Sequence, residues 1–232
     1  MKRFYKQTDA LEVDGGWSVG LDTRPIKTPG KNALIVPTQA LAVEIASEWD
    51  AQEDEIVPDS MAAMTLAVSA IDRIAPQVDA IVADLAGYAG SDTLCYRATE
   101  PHKLVAAQSQ AWDPVLKQAE ERFGLRFALA GGIIHQAQPD KTLALAQELL
   151  LQADPFTLSA LHTVISITGS FVLGLFVWRE VIEGVQAFDL GLHEELYQAE
   201  VWGSDFEAED RRKRLKADIL SAERFLGLIK QN

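Results

Sequence analysis

The sequence is short of most residues that announce chemistry. Its single cysteine, Cys95, excludes an internal disulfide and fits a reducing compartment. His102, His135, His162 and His193 are scattered, with no HExxH, no pair at helical spacing and no cysteine cluster, so zinc is not expected. GxxxxGK[ST] is absent: no glycine stands five residues before Gly30, and Asn32 follows Lys31, so TPGKN reads as a hairpin turn. GSFVLG lacks the GxGxxG spacing, and its glycines read as places where helices pack closely. Repeats, low-complexity runs and long flexible linkers are missing.

Positive charge is also scarce. Lys and Arg number 21 against 34 Asp and Glu, a formal charge of −13 with pI ≈ 4.7. Such a surface repels phosphate backbones and anionic headgroups, so nucleic acid is not expected as a partner. The start, MKRFYKQTDALEV, has neither a signal peptide's apolar core nor an acid-poor transit segment, and the protein is expected to stay where it is made.

Long hydrophobic runs are absent with one exception, Phe156 to Trp178, FTLSALHTVISITGSFVLGLFVW, which is long enough to cross a bilayer. It contains His162, six Ser or Thr residues and two glycines, and Asp154-Pro155 before it looks like a helix start. The expected state is a buried helix, or two short ones meeting near Gly169-Ser170, with no stable membrane insertion.

What is present is an ordinary globular composition: 232 residues, 48% hydrophobic and 24% charged, enough for a real core. Residues 3–36 hold short β-forming runs separated by Asp14-Gly15-Gly16, Asp22-Thr23 and Pro29-Gly30-Lys31-Asn32, predicting a small antiparallel sheet. Trp17, Val19 and Leu21 give that sheet a face to bury. The lid is predicted in PTQALAVEIASEWDAQED, with Thr38 as cap and Leu41, Ala42, Ile45, Ala46 and Trp49 at helical spacing. Beyond Pro58 almost every segment reads as helix; SDTLCYRA and RFALAGGIIH have β-leaning or loop character. The expectation is an α+β fold: an N-terminal domain over residues 1–58 and a larger helical bundle over 59–232.

Candidate chemistry centres on HEELYQAEVWGSD. On a helix Leu192, Glu195, Leu196, Ala199 and Trp202 share one side, so Glu195 lies on an apolar stripe. A carboxylate there needs a cation from another segment or a partner that supplies the donor. The acids from Glu194 to Asp210 do not fit an EF-hand, and a carboxylate- or metal-dependent hydrolase built on them is the alternative function. In EAEDRRKRLK, Glu207 and Arg211, and Asp210 and Arg214, stand at i,i+4 and read as self-paired. Cys95 reads as a buried structural thiol, and Asp92 and Arg97 as a local ion pair or turn contact.

Taken together, RPIKTPGKNALIVPT, LAVEIASEWDAQ, SDTLCYR, AWDPVL with AEERFG, and ELYQAEVWG resemble, in this order, the F1-ATPase assembly chaperone family that binds the α subunit. The resemblance runs from about Arg24 to about Gly203. It implies a non-enzymatic protein without cofactor or metal, holding unassembled F1 α subunit and shielding its β-facing surface until α/β assembly. It implies an N-terminal β-containing domain and a C-terminal helical bundle. The family's EWD motif falls on Glu48, Trp49 and Asp50, and its sensitive acid on Glu194 or, by preference, Glu195; Leu196 stands where some relatives carry a further acid. The partner-binding residues expected are Glu195, Glu194, Trp202, Tyr197, Trp49 and Asp50. A core role for Trp49 is equally compatible. A bacterial cytoplasmic protein, monomeric when free, is expected, with eukaryotic relatives in the mitochondrial matrix.

Overall fold

A computed structural model describes residues 1–132, 136–203 and 205–231. Ile133, Ile134 and His135 of RFALAGGIIH, and Ser204 of the HEELYQAEVWGSD stretch, lie outside the described residues. The fold is mixed, strands first and mostly helices after, as the β-forming runs of residues 3–36 and the helical spacing beyond Pro58 predict. The chain divides into two compact units, the first made of Met1–Val78, Asp154–Ala160 and Ser221–Asn232, the second of Asp79–Ala153 and Leu161–Leu220. This three-segment first unit differs from a single cut after Pro58, because distant stretches of chain return to complete it.

In the first unit, β1 (Thr8–Val13), β2 (Gly16–Leu21) and β3 (Arg24–Pro25) form an antiparallel sheet in that order. β1 pairs with β2 from Thr8↔Leu21 to Val13↔Gly16, and β2 with β3 at Leu21↔Arg24. The β2–β3 turn is Asp22-Thr23, both with positive φ (48° and 71°), which matches the right-handed twist of the flanking strands. Val19 and Leu21 are buried as expected, but so are Ser18 and Gly20, while Trp17 is only half-buried. The face does not alternate cleanly.

Helix α1 (Gln39–Asp50) starts where Thr38 Oγ1 accepts the Leu41 N–H at 3.2 Å. Leu41, Ala42, Ile45 and Ala46 are its buried stripe, packed on β1 and β2. The TPGKN turn is fastened by Asp72, whose carboxylate accepts from the Thr28 hydroxyl (2.6 Å), Gly30 N (2.8 Å) and Asn32 Nδ2 (2.8 Å). Thr28 also donates its N–H to the Asn32 carbonyl, so the segment is a turn with no free phosphate cradle. Helix α2 (Ala62–Val68) has no cap of its own; Glu48 supplies it, accepting Ala63 N at 2.7 Å and Met64 N at 2.8 Å. Late residues close the unit: the Thr38 hydroxyl donates to the Leu228 carbonyl at 2.8 Å, Arg224 pairs with Glu44 at 2.6 Å, and Phe156 stacks on Phe225.

The second unit is helical: α3 (Val78–Gly87), α4 (His102–Phe123), α5 (Asp140–Leu150), α6 (Pro155–Thr168) from Leu161 onward, α7 (Phe171–Trp178), α8 (Gly184–Gly191), α9 (His193–Trp202) and α10 (Phe206–Leu228) as far as Leu220. The two ambiguous stretches contribute a parallel two-stranded ladder, β4 (Tyr96–Arg97) with β5 (Ala130–Gly131). The long apolar run is two helices broken at Gly169-Ser170, as expected. Gly169 is left-handed (φ 64°), and Ser170 caps α7 by accepting Leu173 N at 3.1 Å. All eight residues of α7 are buried. Gly174 lies so close to Ile165 that any added Cβ would overlap that side chain. No helix among the described residues is long and apolar enough to cross a membrane.

Candidate docking site

Helix α9 differs from α7 in one decisive respect: none of its residues is buried. Leu192, just before it, is buried, but Glu195, Leu196 and Ala199 are half-buried and Trp202 is 74% exposed. The stripe is therefore open at its C-terminal end. Phe206, the first residue of α10, is also 74% exposed, and Val201 53%. Gly203 between them has φ 82° and nothing near the place a Cβ would occupy. Glu200, Asp205, Glu207 and Glu209 are their neighbours along the chain, and Lys213 Nζ lies 6.0 Å from the Phe206 ring centre.

Glu195 finds its cations inside the chain. Arg211 Nη1 donates to its two carboxylate oxygens at 3.1 and 3.0 Å, and Arg212 Nη1 approaches Oε1 at 3.4 Å. Arg211 thus serves Glu195 rather than Glu207, and Asp210 takes Lys213 at 3.2 Å while its backbone carbonyl accepts from Arg214. The i,i+4 self-pairing expected within α10 gives way to pairing across to α9, which locks the two helices together. Glu194 is exposed and has no ion pair among the described residues; weak amide bonds from Gln108 (3.4 Å) and Gln198 (3.3 Å) reach it. Tyr197 is half-buried on the same helix. Behind α9, Trp112 donates its indole N–H to the Leu190 carbonyl at 3.0 Å and meets the His193 ring edge-on. Burial holds the His193 pKa below its ordinary value, favouring the neutral ring.

The remaining expected residues belong to the other unit. Asp50 is exposed and pairs with Arg3 at 3.3 Å. Trp49 is half-buried, edge-on to Tyr5 with 5.6 Å between ring centres, and Tyr5 donates its hydroxyl to the Trp49 carbonyl at 2.6 Å. Within EWD, then, Glu48 caps a helix while Trp49 and Asp50 hold the N-terminal segment. Burial raises the Glu48 pKa above the usual carboxylate value despite its two backbone donors.

Asp92 makes the turn contact that the sequence offers as one reading, and a second role that spacing does not show. Its fully buried carboxylate accepts Leu94 N and Val172 N, both at 3.0 Å, and also bonds Ser170 and Phe171, so it caps both the Thr93–Cys95 turn and α7. Burial raises its pKa to about 6. Of the two expected forms, ion pair or turn contact, the turn contact is found: Arg97 Nε donates to the Leu94 carbonyl at 3.0 Å, while its ion pair goes to Asp113 at 2.8 Å and its guanidinium lies over the Trp112 ring. Cys95 is wholly buried, and burial together with Asp92 pushes its thiol up, far from the thiolate a nucleophile needs. No group of three His, Cys, Asp or Glu side chains among the described residues could hold a metal. Of the acids in 194–210, Glu195 pairs with Arg211 and Arg212, Asp210 with Lys213, and Asp205 accepts Ala208 N, so nothing in the structure supports the hydrolase alternative.

Exposed aromatic side chains among acids in the sequence, on helices paired through Glu195, have the make-up of a protein-docking surface. The chain belongs to the ATP12 chaperone family, the assembly chaperones of ATP synthase: the family's model, described as ATP12 chaperone protein, matches residues 2–120. The crystal structure of Atp12 from Paracoccus denitrificans is 40% identical, covers 98% of each chain and superposes with a TM-score of 0.94. A mutant form of that protein superposes equally well, at 40% identity over 98% of this chain and 97% of its own. Protein atp12, mitochondrial, of Schizosaccharomyces pombe is 24% identical over 94% of this chain and 81% of its own length. Such relatives are therefore found in bacteria and in mitochondria.

Proposed function

We propose that this chaperone binds the unassembled F1 α subunit and shields its β-facing surface until α and β assemble, using the α9–α10 corner as its docking surface. The observation that carries this reading is the exposure of Trp202 and Phe206 beside Val201 on helices locked through Glu195. Covering one such ring removes enough apolar surface from water to contribute about 1.5–3 kcal/mol. The role of Glu195 is to pin α9 to Arg211 and Arg212, while Glu194 offers its charge to a cation of the partner and Tyr197 lies alongside. Trp49 and Asp50 complete the set of partner-binding residues in the other unit. The reading includes no catalysis, no cofactor, no nucleic acid and no stable membrane insertion; the free chaperone is a cytoplasmic monomer. Its net charge of −13 keeps a bound, aggregation-prone subunit soluble through repulsion.

Co-purification from cells tests it. Tagged chaperone is expected to bring down α without β, and the Trp202→Ala/Phe206→Ala pair to lose α while keeping its circular dichroism. Capture of β, or of α undiminished by that pair, overturns the assignment.

A further inference from the structure

The first unit carries a groove of about 680 Å³ of whose lining the proposed α-binding set uses only Trp49. Its apolar wall includes Phe4, Tyr5, Leu21, Ile26 and Trp49. Phe4 is 65% exposed, a large ring held at the surface with only the edge of Tyr5 against it. The Trp49 indole N–H is buried without an acceptor among the described residues, so Trp49 meets the groove through its apolar ring.

Charge says what kind of occupant. Arg24 and Lys27 stand exposed on the rim, and neither forms an ion pair among the described residues. The rim's one acid, Asp22, already accepts Lys6 N at 2.9 Å and Gln7 N at 3.0 Å, and those bonds hold its pKa below the ordinary range. Along the sequence the stretch that supplies most of this groove is basic in an acidic protein: residues 1–31 hold six basic and four acidic side chains, net +2, whereas 32–232 carry net −15. Arg3 is taken by Asp50, but Arg24 remains to meet a carboxylate with a guanidinium able to grip it through two N–H donors.

We propose that this groove is a second docking site, which takes an extended peptide segment of a partner protein bearing aliphatic side chains next to Asp or Glu. The aliphatic groups lie against Phe4, Tyr5 and Ile26, and the carboxylates reach Arg24 and Lys27. This site is independent of the α9–α10 corner and of opposite polarity.

The test uses the full chain and two dye-labelled peptides, acetyl-LDLEL-amide and acetyl-LKLKL-amide, followed by fluorescence anisotropy. The acidic peptide is expected to bind at least about tenfold more tightly than the basic one. Arg24→Glu with Lys27→Glu, both exposed and so foldable, is expected to remove that preference, and Phe4→Ala to weaken binding several-fold. Trp202→Ala should leave peptide binding unchanged, which separates this site from the proposed α-subunit surface. Equal affinity for the two peptides, no binding of either up to about 1 mM, or an unaltered charge-reversal variant overturns the proposal. So does a rim-dependent affinity for phosphatidylserine vesicles in place of the acidic peptide, or a rim-dependent self-association in sedimentation, which would assign the groove to a membrane or to a second copy.

Discussion

Leu161–Trp178 and Tyr197–Phe206 both carry large apolar side chains across a glycine of positive φ, Gly169 and Gly203, yet the first stretch is covered and the second open. Around Gly169 the polar groups are accounted for. Thr93 donates both its N–H and its hydroxyl to the Gly169 carbonyl, and Asp92 and Ser170 cap α7. Around Gly203 no neighbour comes near, and Val201, Trp202 and Phe206 face water. Hydrophobicity alone does not separate a core from a docking surface; the polar fastening of the chain break does.

The sharpest way to break this comparison is to truncate one ring from each stretch. Phe176→Ala, in the covered helix, is expected to cost about 3–5 kcal/mol in urea unfolding, because it leaves a cavity where the side chain was fully buried. Trp202→Ala should leave stability within about 0.5 kcal/mol, yet weaken partner binding by about 2 kcal/mol, roughly thirtyfold, in a pull-down or titration. If Trp202→Ala unfolds the protein, the distinction fails.

Asp92 sharpens it by pH. Its folded pKa is raised to about 6 from 3.8, so its contribution to stability is fully present below about pH 3.8 and is lost as pH rises through about 6. Asp92→Asn is neutral throughout. Relative to that variant, wild type should gain about 1 kcal/mol on going from about pH 7 to about pH 5 in denaturant melts. His193, neutralised by burial, pulls the other way but cancels because both proteins carry it. The smallest effect belongs to Glu195→Gln, expected to cost no more than about 0.5 kcal/mol of stability, since the carboxylate is 35% exposed and one of its arginines 58%. A larger loss in the same melts would make the pair a structural keystone rather than an orienting contact.

Local signals in the sequence were dependable where a residue answers to its own neighbours. Thr38 as a cap, Asp154 at a helix start and the break at Gly169-Ser170 all stand where side-chain chemistry predicts. The turns at Asp22-Thr23 and Pro29–Asn32 do too, although the second depends on Asp72, forty-odd residues away and unmarked in the sequence. Partners across the fold were not legible. Arg211 has an acid at i−4 and chooses Glu195, Arg97 chooses Asp113 over Asp92, and Glu48 turns out to cap α2. Spacing along a helix shows who could pair; packing decides who does. Spacing alone does not settle the openness of Trp202 either, although it stands among the expected partner-binding residues, because a stripe at helical spacing says nothing about whether another element covers it. The resemblance to known assembly chaperones identified the class of protein, where residue chemistry alone found no enzyme motif.

The hydroxyl of Thr38 meets the carbonyl of Leu228 across 190 positions of chain, and Arg224 meets Glu44 across 180. On the ribosome this means that the first unit to be synthesised is among the last to be finished. At about 5–20 residues per second the β-sheet and α1 wait on the order of ten seconds or more for the helix that completes them. During that interval the young chaperone exposes an unsealed edge of its own, and until residue 228 emerges it needs the protection that it will later extend to others.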